Sequence, residues 1–271
     1  MRVEGAVVVL TGAAGGIGAA LARRFAAEGA AGLVLADVDG AAARALASGF
    51  ERATGVECDV TDSAQVTALV SAAEEAYGPV DLFCSNAGIT TGTGLDTTAA
   101  HWQRAWEVNV VAHIHAARAV LPGMLARGEG YLLQTCSAAG LLTAVGDAPY
   151  AVTKHAAVAF AEWLAITYGD RGIKVSALCP QGVRTPMLTS GLEQGHLGAL
   201  VTAASGAVLT PEEVADAVVD GLAAERFLIL PHPEVAAYQR NKVRDPDGWL
   251  AAMRGIVARV EARFPSDPVE G

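Results

Sequence analysis

The sequence predicts an α/β fold in which a parallel β-sheet is covered on both faces by helices. Short β-branched apolar runs alternate along the chain with glycine or polar turns and alanine-rich helical stretches. This alternation is typical of parallel sheets, whose strands are buried on both faces and joined by right-handed crossovers. The 271 residues are 52% apolar and only 18% charged, so the chain can bury a large core and is not intrinsically disordered.

Seven strands are predicted from the apolar runs, each bounded by glycine or polar residues. In chain order they are Ala6–Leu10, Gly32–Ala36, Gly55–Cys58, Val80–Cys84, Gly130–Thr135, Ile173–Leu178 and Phe227–Leu230. The third run carries the weakest strand pattern of the set. Seven short strands separated by helical stretches are enough for one open parallel sheet.

Six helices are predicted between and after these strands. They cover about Gly16–Glu28, Gly40–Ser48, Ser63–Tyr77, His101–Arg127, Tyr150–Tyr168 and Pro211–Ala224. Ser63 is predicted to be the N-cap of the third helix, because its hydroxyl can accept a hydrogen bond from the first turn. Thr210, Pro211 and Glu213 form the pattern of a capping box with proline at the first helical position.

No linker divides the chain, so we expect a single domain over residues 1–271, with a core of about 5–230 and a C-terminal helical extension over 231–271. The extension carries an apolar stripe on one helical face. Its members are Trp249, Leu250, Met253, Ile256, Val257, Val260 and Phe264. Such a stripe must be covered, either by the rest of the same chain or by a partner subunit.

Charge and hydropathy exclude several classes of protein. The net charge is −10 and basic residues form no stripe, so a nucleic-acid partner is not expected. Apolar runs such as Ala6–Leu10 are far shorter than the ~20 residues of a membrane helix, so no membrane span is expected. The first residues also lack the apolar stretch and cleavage site of a signal peptide.

The cysteines and histidines predict neither a disulfide framework nor a metal site. The four cysteines are scattered singly with no CxxC pair, which favours a reducing cytoplasm. They are Cys58, Cys84, Cys136 and Cys179. His113 and His115 are close in sequence, but on a helix that spacing points their rings to different faces.

A glycine-rich segment joins the first strand to the first helix. It reads Thr11, Gly12, Ala13, Ala14, Gly15, Gly16, Ile17, Gly18. A turn of this kind lets backbone N–H groups approach a pyrophosphate, while the helix N-terminus adds partial positive charge. Its T-G-x-x-x-G-x-G spacing resembles the classical branch of the short-chain dehydrogenase/reductase family. That resemblance implies a doubly wound sheet of the Rossmann type that binds a nicotinamide cofactor.

Residues after the next strands extend the resemblance over roughly residues 5–230. Asp37 ends the second strand, where a carboxylate can accept hydrogen bonds from the adenosine ribose of NAD. Asp59 and Val60 resemble the adenine-contacting pair of the family. Asn86, Ala87 and Gly88 match most of its N-N-A-G motif, with Ser85 in place of the first asparagine, and Asn109 matches the asparagine of the long helix.

The catalytic motif is the strongest part of the resemblance. Ser137 follows the fifth strand and precedes Tyr150 by 13 residues, the usual interval of the family, and Lys154 completes Y-x-x-x-K. The lysine lies one helical turn from the tyrosine, so its charge should lower the pKa of the phenol. Tyr150 would then act as general acid/base, Ser137 would bind the reacting oxygen, Lys154 would also bind the ribose, and Asn109 would hold a relay water.

The segment after the sixth strand departs from the family pattern. Gln181 follows Pro180 where the family usually has glycine, while Val183 and Thr185 still match positions that hold the carboxamide of the nicotinamide. Gln181 either reads a polar group of the substrate or only fills space.

Residues 187–209 are rich in glycine, alanine, leucine and threonine, which favours an apolar lid, although the leucines also fit an ordinary core. Met187 and Leu188 begin this segment and are expected, with Gln181, to contact the substrate. A secondary alcohol or ketone with apolar bulk is then the expected substrate.

The predicted function is therefore NAD-dependent interconversion of a secondary alcohol and a ketone, with no metal. Two alternatives stay open: a catalytically silent NAD-binding sensor or scaffold, and an NADPH-linked ketoacyl reductase, against which Asp37 argues. The alanine-rich faces of the long helices resemble the dimer interface of the family. They predict a homotetramer, with a dimer as the alternative.

Overall fold

The computed structural model describes residues 1–264, and the last part of the predicted extension, residues 265–271, lies outside them. A seven-stranded parallel sheet forms the centre, in the order β3-β2-β1-β4-β5-β6-β7. The strands are β1 Val7–Thr11, β2 Gly32–Asp37, β3 Ala53–Glu57, β4 Leu82–Ser85, β5 Gly130–Thr135, β6 Ile173–Leu178 and β7 Leu228–Ile229. The predicted sheet is confirmed, although β7 has two residues rather than four.

The helices cover both faces of the sheet and extend beyond its last strand. They are α1 Gly16–Ala27, α2 Gly40–Ala47, α3 Ser63–Tyr77, α4 Ala99–Trp106, α5 Ala112–Arg127, α6 Ala148–Tyr168, α7 Pro186–Glu193, α8 Leu197–Ala204, α9 Pro211–Ala223, α10 Glu234–Arg244 and α11 Pro246–Arg263. All six predicted helical segments are helical, and the capping box of α9 is present. The predicted N-cap of α3 is wrong: the carboxylate of Asp62 accepts from the N–H groups of Ala64 and Gln65, so Ser63 is the first helical residue.

The apolar side chains form a core on each face of the sheet. One core includes Phe83, Met124 and Leu164 and lies between the sheet and helices α3, α5 and α6. The other includes Leu10 and Phe25 and lies under α1 and α9. Because both faces are buried, strands such as β1 are apolar at nearly every position, which is why the sequence showed them as continuous runs.

The predicted long helix contains a defect that the sequence pattern did not indicate. A π-helical segment, Glu107–Val111, joins α4 to α5. The continuous helix Ala99–Arg127 is long enough for a membrane span, and its most apolar 18-residue stretch has a mean hydropathy of 1.2, yet 56% of that stretch is buried inside the fold. Within residues 1–264 it is the one helix that meets these criteria, and a buried core helix meets them equally well.

The apolar stripe of the extension is largely covered by the same chain. Helix α11 packs against α8 and α10, and Trp249 joins an apolar cluster with Leu142 and Tyr238. Leu250 and Phe264 remain about half exposed. The sequence alone could not decide whether the same chain or a partner subunit covers this stripe, because that depends on tertiary contacts.

Candidate active site

The candidate site lies at the carboxyl ends of the strands, near the point where the strand order reverses between β1 and β4. Open α/β sheets bind ligands at this position. A cavity of about 1140 Å³ occupies it. Nine of the predicted site residues line the cavity: Ile17, Ser137, Tyr150, Pro180, Gln181, Val183, Thr185, Met187 and Leu188.

The predicted catalytic residues are brought together by β5 and α6. Ser137 follows β5 as the N-cap of a short 3-10 turn, and its hydroxyl accepts from Ala139 N–H at 3.1 Å. Lys154 is buried, with its Nζ 5.7 Å from the centre of the Tyr150 ring. The same Nζ donates to the carbonyl of Thr135 at 2.9 Å, which fixes the ammonium at the end of β5.

The expected lowering of the tyrosine pKa is wrong for the chain alone. Burial raises the pKa of Tyr150 to about 12, although its hydrogen bond with the Ser137 hydroxyl acts in the opposite direction. Lys154 does not offset the burial, and its Nζ donates to the Thr135 carbonyl rather than to the phenol. At neutral pH the phenol therefore carries its proton and is set to donate it.

Asn109 lies in the π-helical segment and is fully buried. Its Oδ1 accepts from Ile89 N–H at 2.9 Å, and its Nδ2 donates to the Ile89 carbonyl at 2.9 Å and to Thr153 Oγ1 at 3.1 Å. The side chain thus ties the long helix to the loop after β4 and to α6. π-Helical segments frequently occur at functional sites.

Thr11 and Asn86 connect the glycine loop to the loop after β4. Asn86 Nδ2 donates to the carbonyls of Thr11 and Gly12, each at 3.1 Å. Thr11 Oγ1 in turn accepts from the N–H groups of Asn86 at 3.0 Å and Ala87 at 3.3 Å. These bonds hold the two loops at a fixed separation.

The glycines of this loop are required by close approach of the backbone. Gly12 has φ +62°, and a Cβ there would lie 2.8 Å from the Cα of Ala87. A Cβ on Gly18 would lie 2.0 Å from the carbonyl oxygen of Gly12. At Gly15 the space is open, and this residue precedes α1 without a side-chain cap, so the first N–H groups of the helix face that space. The loop therefore fits a pyrophosphate.

The predicted ribose and adenine residues lie apart from the cavity, at the ends of β2 and β3. Asp37 accepts from Ala14 N–H at 3.0 Å and from Asp39 N–H at 3.1 Å, which holds its carboxylate against the glycine loop. Asp59 accepts from Thr61 and pairs with Arg104 at 3.5 Å. Burial alone would raise the pKa of Asp59, but these partners lower it. The side chain of Val60 is nearly buried beside them.

The loop after β6 is held by a histidine that the sequence analysis missed. His232 is 1% exposed, accepts from Gln181 N–H through Nδ1 at 3.1 Å, and donates through Nε2 to the Gly182 carbonyl at 3.1 Å. The Oε1 of Gln181 is buried and has no hydrogen-bond partner among the described residues. A signal for His232 existed, since Pro231 and Pro233 flank it directly after the last strand.

The two neighbouring histidines make separate contacts, as predicted. His113 Nδ1 bonds to Gln134 Oε1, while His115 Nδ1 bonds to the Val60 carbonyl at 3.2 Å. Burial, and secondarily the charge of Lys154, lowers the pKa of His113 to about 4, so this imidazole is neutral. Within residues 1–264 no group of three or more potential ligand side chains forms a metal site.

Asp147 is a second residue that the sequence analysis missed. It caps α6 by accepting from Tyr150 N–H at 3.0 Å, and it accepts from Thr91 N–H and Oγ1 at 2.8 Å, from Gly92 N–H at 2.7 Å and from the Thr90 hydroxyl. Its carboxylate is 4% exposed. It joins the loop after β4 to the first turn of α6, so we describe it as a positioning residue for Tyr150. An aspartate three residues before a helical tyrosine is a capping signal in the sequence.

Replacing Asp147 with asparagine is expected to lower kcat about tenfold, because Tyr150 would be held less firmly. The amide offers one acceptor oxygen to the five donors that converge on the carboxylate, and hydrogen bonds to charged groups are worth ~1.5–3 kcal/mol. The charge of Asp147 raises the pKa of Tyr150. Its removal should lower that pKa and move the pH profile of kcat to lower pH. Asp170→Asn, at an exposed position, is the control and should leave both kcat and its pH profile unchanged. A fall in kcat without a shifted profile would contradict the electrostatic part of this role.

Comparison with known proteins identifies the class to which the fold and site belong. A family model described as short chain dehydrogenase matches residues 6–195. The chain belongs to the short-chain dehydrogenase family, which consists of oxidoreductases. The predicted family and fold class are confirmed.

Individual relatives span nearly the whole chain. The 1-deoxy-11-beta-hydroxypentalenate dehydrogenase of Streptomyces exfoliatus is 36% identical over 253 residues, 90% of each chain. The 2-(S)-hydroxypropyl-CoM dehydrogenase 3 of Xanthobacter autotrophicus is 35% identical over 233 residues, 80% of this chain and 89% of the relative. A solved short chain dehydrogenase/reductase of Burkholderia phymatum, in complex with NAD, covers 100% of both chains at 31% identity and a TM-score of 0.82.

Proposed function

We propose that this chain is an NAD-dependent dehydrogenase that interconverts a secondary alcohol and a ketone. The observation that carries the proposal is the placement of Ser137 and Tyr150 on one wall of the cavity, with the Lys154 ammonium 5.7 Å from the tyrosine ring. The relatives named as dehydrogenases and the NAD-bound solved relative support it.

The cofactor would be held at the carboxyl ends of the strands, with its adenosine half beside β1 to β4 and its nicotinamide end beside β5 and β6. The loop over residues 11–18 and the loop over 86–88 would bind the pyrophosphate and neighbouring riboses, and Asp37 the adenosine ribose. Asp59 and Val60 would border the adenine. Tyr150, Lys154 and the segment with Pro180, Val183 and Thr185 would bind the nicotinamide end. When bound, NAD⁺ supplies the hydride acceptor and a positive charge beside the phenol.

The side chains of the protein carry the proton. In reduction Tyr150 donates its proton to the substrate oxygen, and in oxidation it accepts the proton of the alcohol. Ser137 donates a hydrogen bond to the same oxygen and stabilises the charge that develops there. The positive charge of the oxidised cofactor would favour the phenolate, Lys154 would bind the ribose beside it, and we assign Asn109 to the relay that returns the proton to solvent.

The substrate would lie in the 1140 Å³ cavity beneath α7, α8 and α11. Leu188 and Met187 of α7 line it on one side, so bulky apolar substrates fit. The amide of Gln181 supplies a polar group beside the cofactor segment. Helices α7 and α8 contribute Leu188 and Val201 to the lining, and we assign the lid to these two helices.

A panel of secondary alcohols tested with NAD⁺ examines this proposal, with NADH formation followed by absorbance. We expect turnover of bulky apolar members. Binding of NADH without turnover of any member would overturn the catalytic assignment and favour an NAD-binding sensor. A strong preference for NADPH with ketoacyl thioesters would favour the reductase alternative.

We also propose a homotetramer in the cytoplasm. Helix α6 exposes Trp163 and Ile166, which are 52% and 83% exposed, and Trp106 of α4 is 42% exposed. Large exposed apolar residues on these two helices support a protein–protein contact. Light scattering at micromolar concentration should give about four times the chain mass, with a dimer as the alternative. A monomer would contradict the proposal.

A further inference from the structure

The cavity that holds the catalytic residues is also lined by two arginines of the C-terminal extension. Arg259 and Arg263 lie one helical turn apart on α11 and are exposed to solvent. Met253, Ile256 and Val260 of the same helix line the cavity next to them. The helix therefore presents an apolar surface with two positive charges beside it.

The charge of the cavity is opposite to that of the protein. The chain has 29 acidic and 19 basic residues, yet the charged residues among the described lining are Asp147, Arg259 and Arg263. The carboxylate of Asp147 is occupied by its five hydrogen bonds and cannot also neutralise a guanidinium at the cavity mouth. The available charge of the lining is therefore positive.

The spacing of the two arginines also indicates an anion. Like charges at i and i+4 on a helix repel each other and destabilise it. No ion pair described within residues 1–264 includes Arg259 or Arg263, whereas Arg24 on α1 pairs with Glu28. The Cζ of Arg263 lies 5.5 Å from the centre of the Phe264 ring, and an anionic group bound by both arginines would relieve the repulsion. Guanidinium forks match carboxylate oxygens in bidentate geometry.

We infer that the substrate is an alcohol or ketone with an apolar body that ends in a carboxylate, and that Arg259 and Arg263 bind this carboxylate. The inference rests on the proposed function, because it places the reacting carbon at Tyr150 and the anion at α11. The apolar residues between them would contact the body of the substrate. The two arginines are specificity residues rather than catalytic residues in this proposal, because they would bind the carboxylate and not the reacting oxygen.

Binding measurements in the presence of NAD⁺ test the inference without turnover, because a ketone cannot be reduced by the oxidised cofactor. The probes are a series of ω-1 oxo acids, such as 9-oxodecanoate and its shorter and longer homologues, each with its neutral methyl ester. Calorimetry should show that the best acid binds about tenfold more tightly than its ester, and that added salt reduces this difference. Equal affinity of acid and ester throughout the series would overturn the inference.

Variants on α11 locate the effect. Arg259→Gln combined with Arg263→Gln should abolish the advantage of the acid and leave the affinity of the ester unchanged. The matched control is Arg254→Gln, an exposed arginine of the same helix outside the lining, which should retain the advantage. Arg259→Lys combined with Arg263→Lys should retain part of the affinity advantage of the acid over its ester. Persistence of the advantage in the double glutamine variant would overturn the assignment to these residues.

Steady-state reduction separates this inference from the proposed function. With NADH, the double glutamine variant should raise KM for the acid about tenfold without changing kcat, because the lost binding is equal in ground and transition states. If neutral ketones are reduced but acids have no advantage, only the inference fails. If the wild-type protein neither binds NADH nor reduces any ketone, the proposed function fails as well.

Discussion

Replacing Tyr150 with phenylalanine is expected to lower kcat by ~10²–10⁴-fold, the usual contribution of a general acid/base group. The variant removes one hydroxyl and leaves the ring in the cavity wall. The ammonium of Lys154 keeps its bond to the Thr135 carbonyl, so the nicotinamide end of the site should keep its shape. Affinity for NADH, measured by fluorescence titration, should therefore stay close to that of the wild type.

The matched control is Tyr168→Phe, at the far end of the same helix α6. It should retain full activity, because Tyr168 lies outside the cavity lining. Retention of more than about a tenth of wild-type kcat by Tyr150→Phe would contradict the assignment, since proton transfer contributes at least ~10²-fold. Loss of NADH binding in the Tyr150→Phe variant would instead indicate a structural role for the hydroxyl of Tyr150.

The second large effect is the choice between NAD⁺ and NADP⁺. We expect NAD⁺ to be preferred more than a hundredfold in kcat/KM, equivalent to ~3 kcal/mol of repulsion between a carboxylate and a 2′-phosphate. Asp37 is held at the glycine loop by the N–H groups of Ala14 and Asp39, so it cannot turn away without losing both bonds. Asp39 itself caps α2 and adds negative charge at the same turn.

The comparison uses one alcohol at matched ionic strength. Asp37→Ala should narrow the preference mainly by weakening NAD⁺ binding, because the variant removes the ribose acceptor and also loosens the loop at Ala14. Tight binding of NADP⁺ is not expected, since Ala13, Ala14 and Val38 offer no cation for the phosphate. If kcat/KM of the wild type with NAD⁺ exceeds that with NADP⁺ by less than about tenfold, the role of Asp37 is contradicted.

The sequence by itself determined the sheet, the order of the motifs and the candidate catalytic residues. The glycine loop was recognisable because backbone approach at Gly12 and Gly18 leaves no room for a Cβ, so the residue type itself records the geometry. Ser137, Tyr150 and Lys154 were recognisable from their spacing, because the tyrosine and lysine lie one helical turn apart on α6 and Ser137 lies in the connection from β5 to that helix. The glycine loop and the catalytic motif each lie within a short stretch of sequence, so they can be recognised without knowing how distant parts of the chain pack.

Only the tertiary structure decided the electrostatics of the site and its outer wall. Tyr150 was expected to have a lowered pKa from Lys154, yet burial raises it, since desolvation depends on every element around the ring. Asp147 meets the loop after β4 across more than fifty residues of sequence. The apolar stripe of α11 gave no sign that it would form a wall of the cavity with Arg259 beside it. Periodicity shows which face of a helix is apolar, but the surface that covers that face is set by long-range packing.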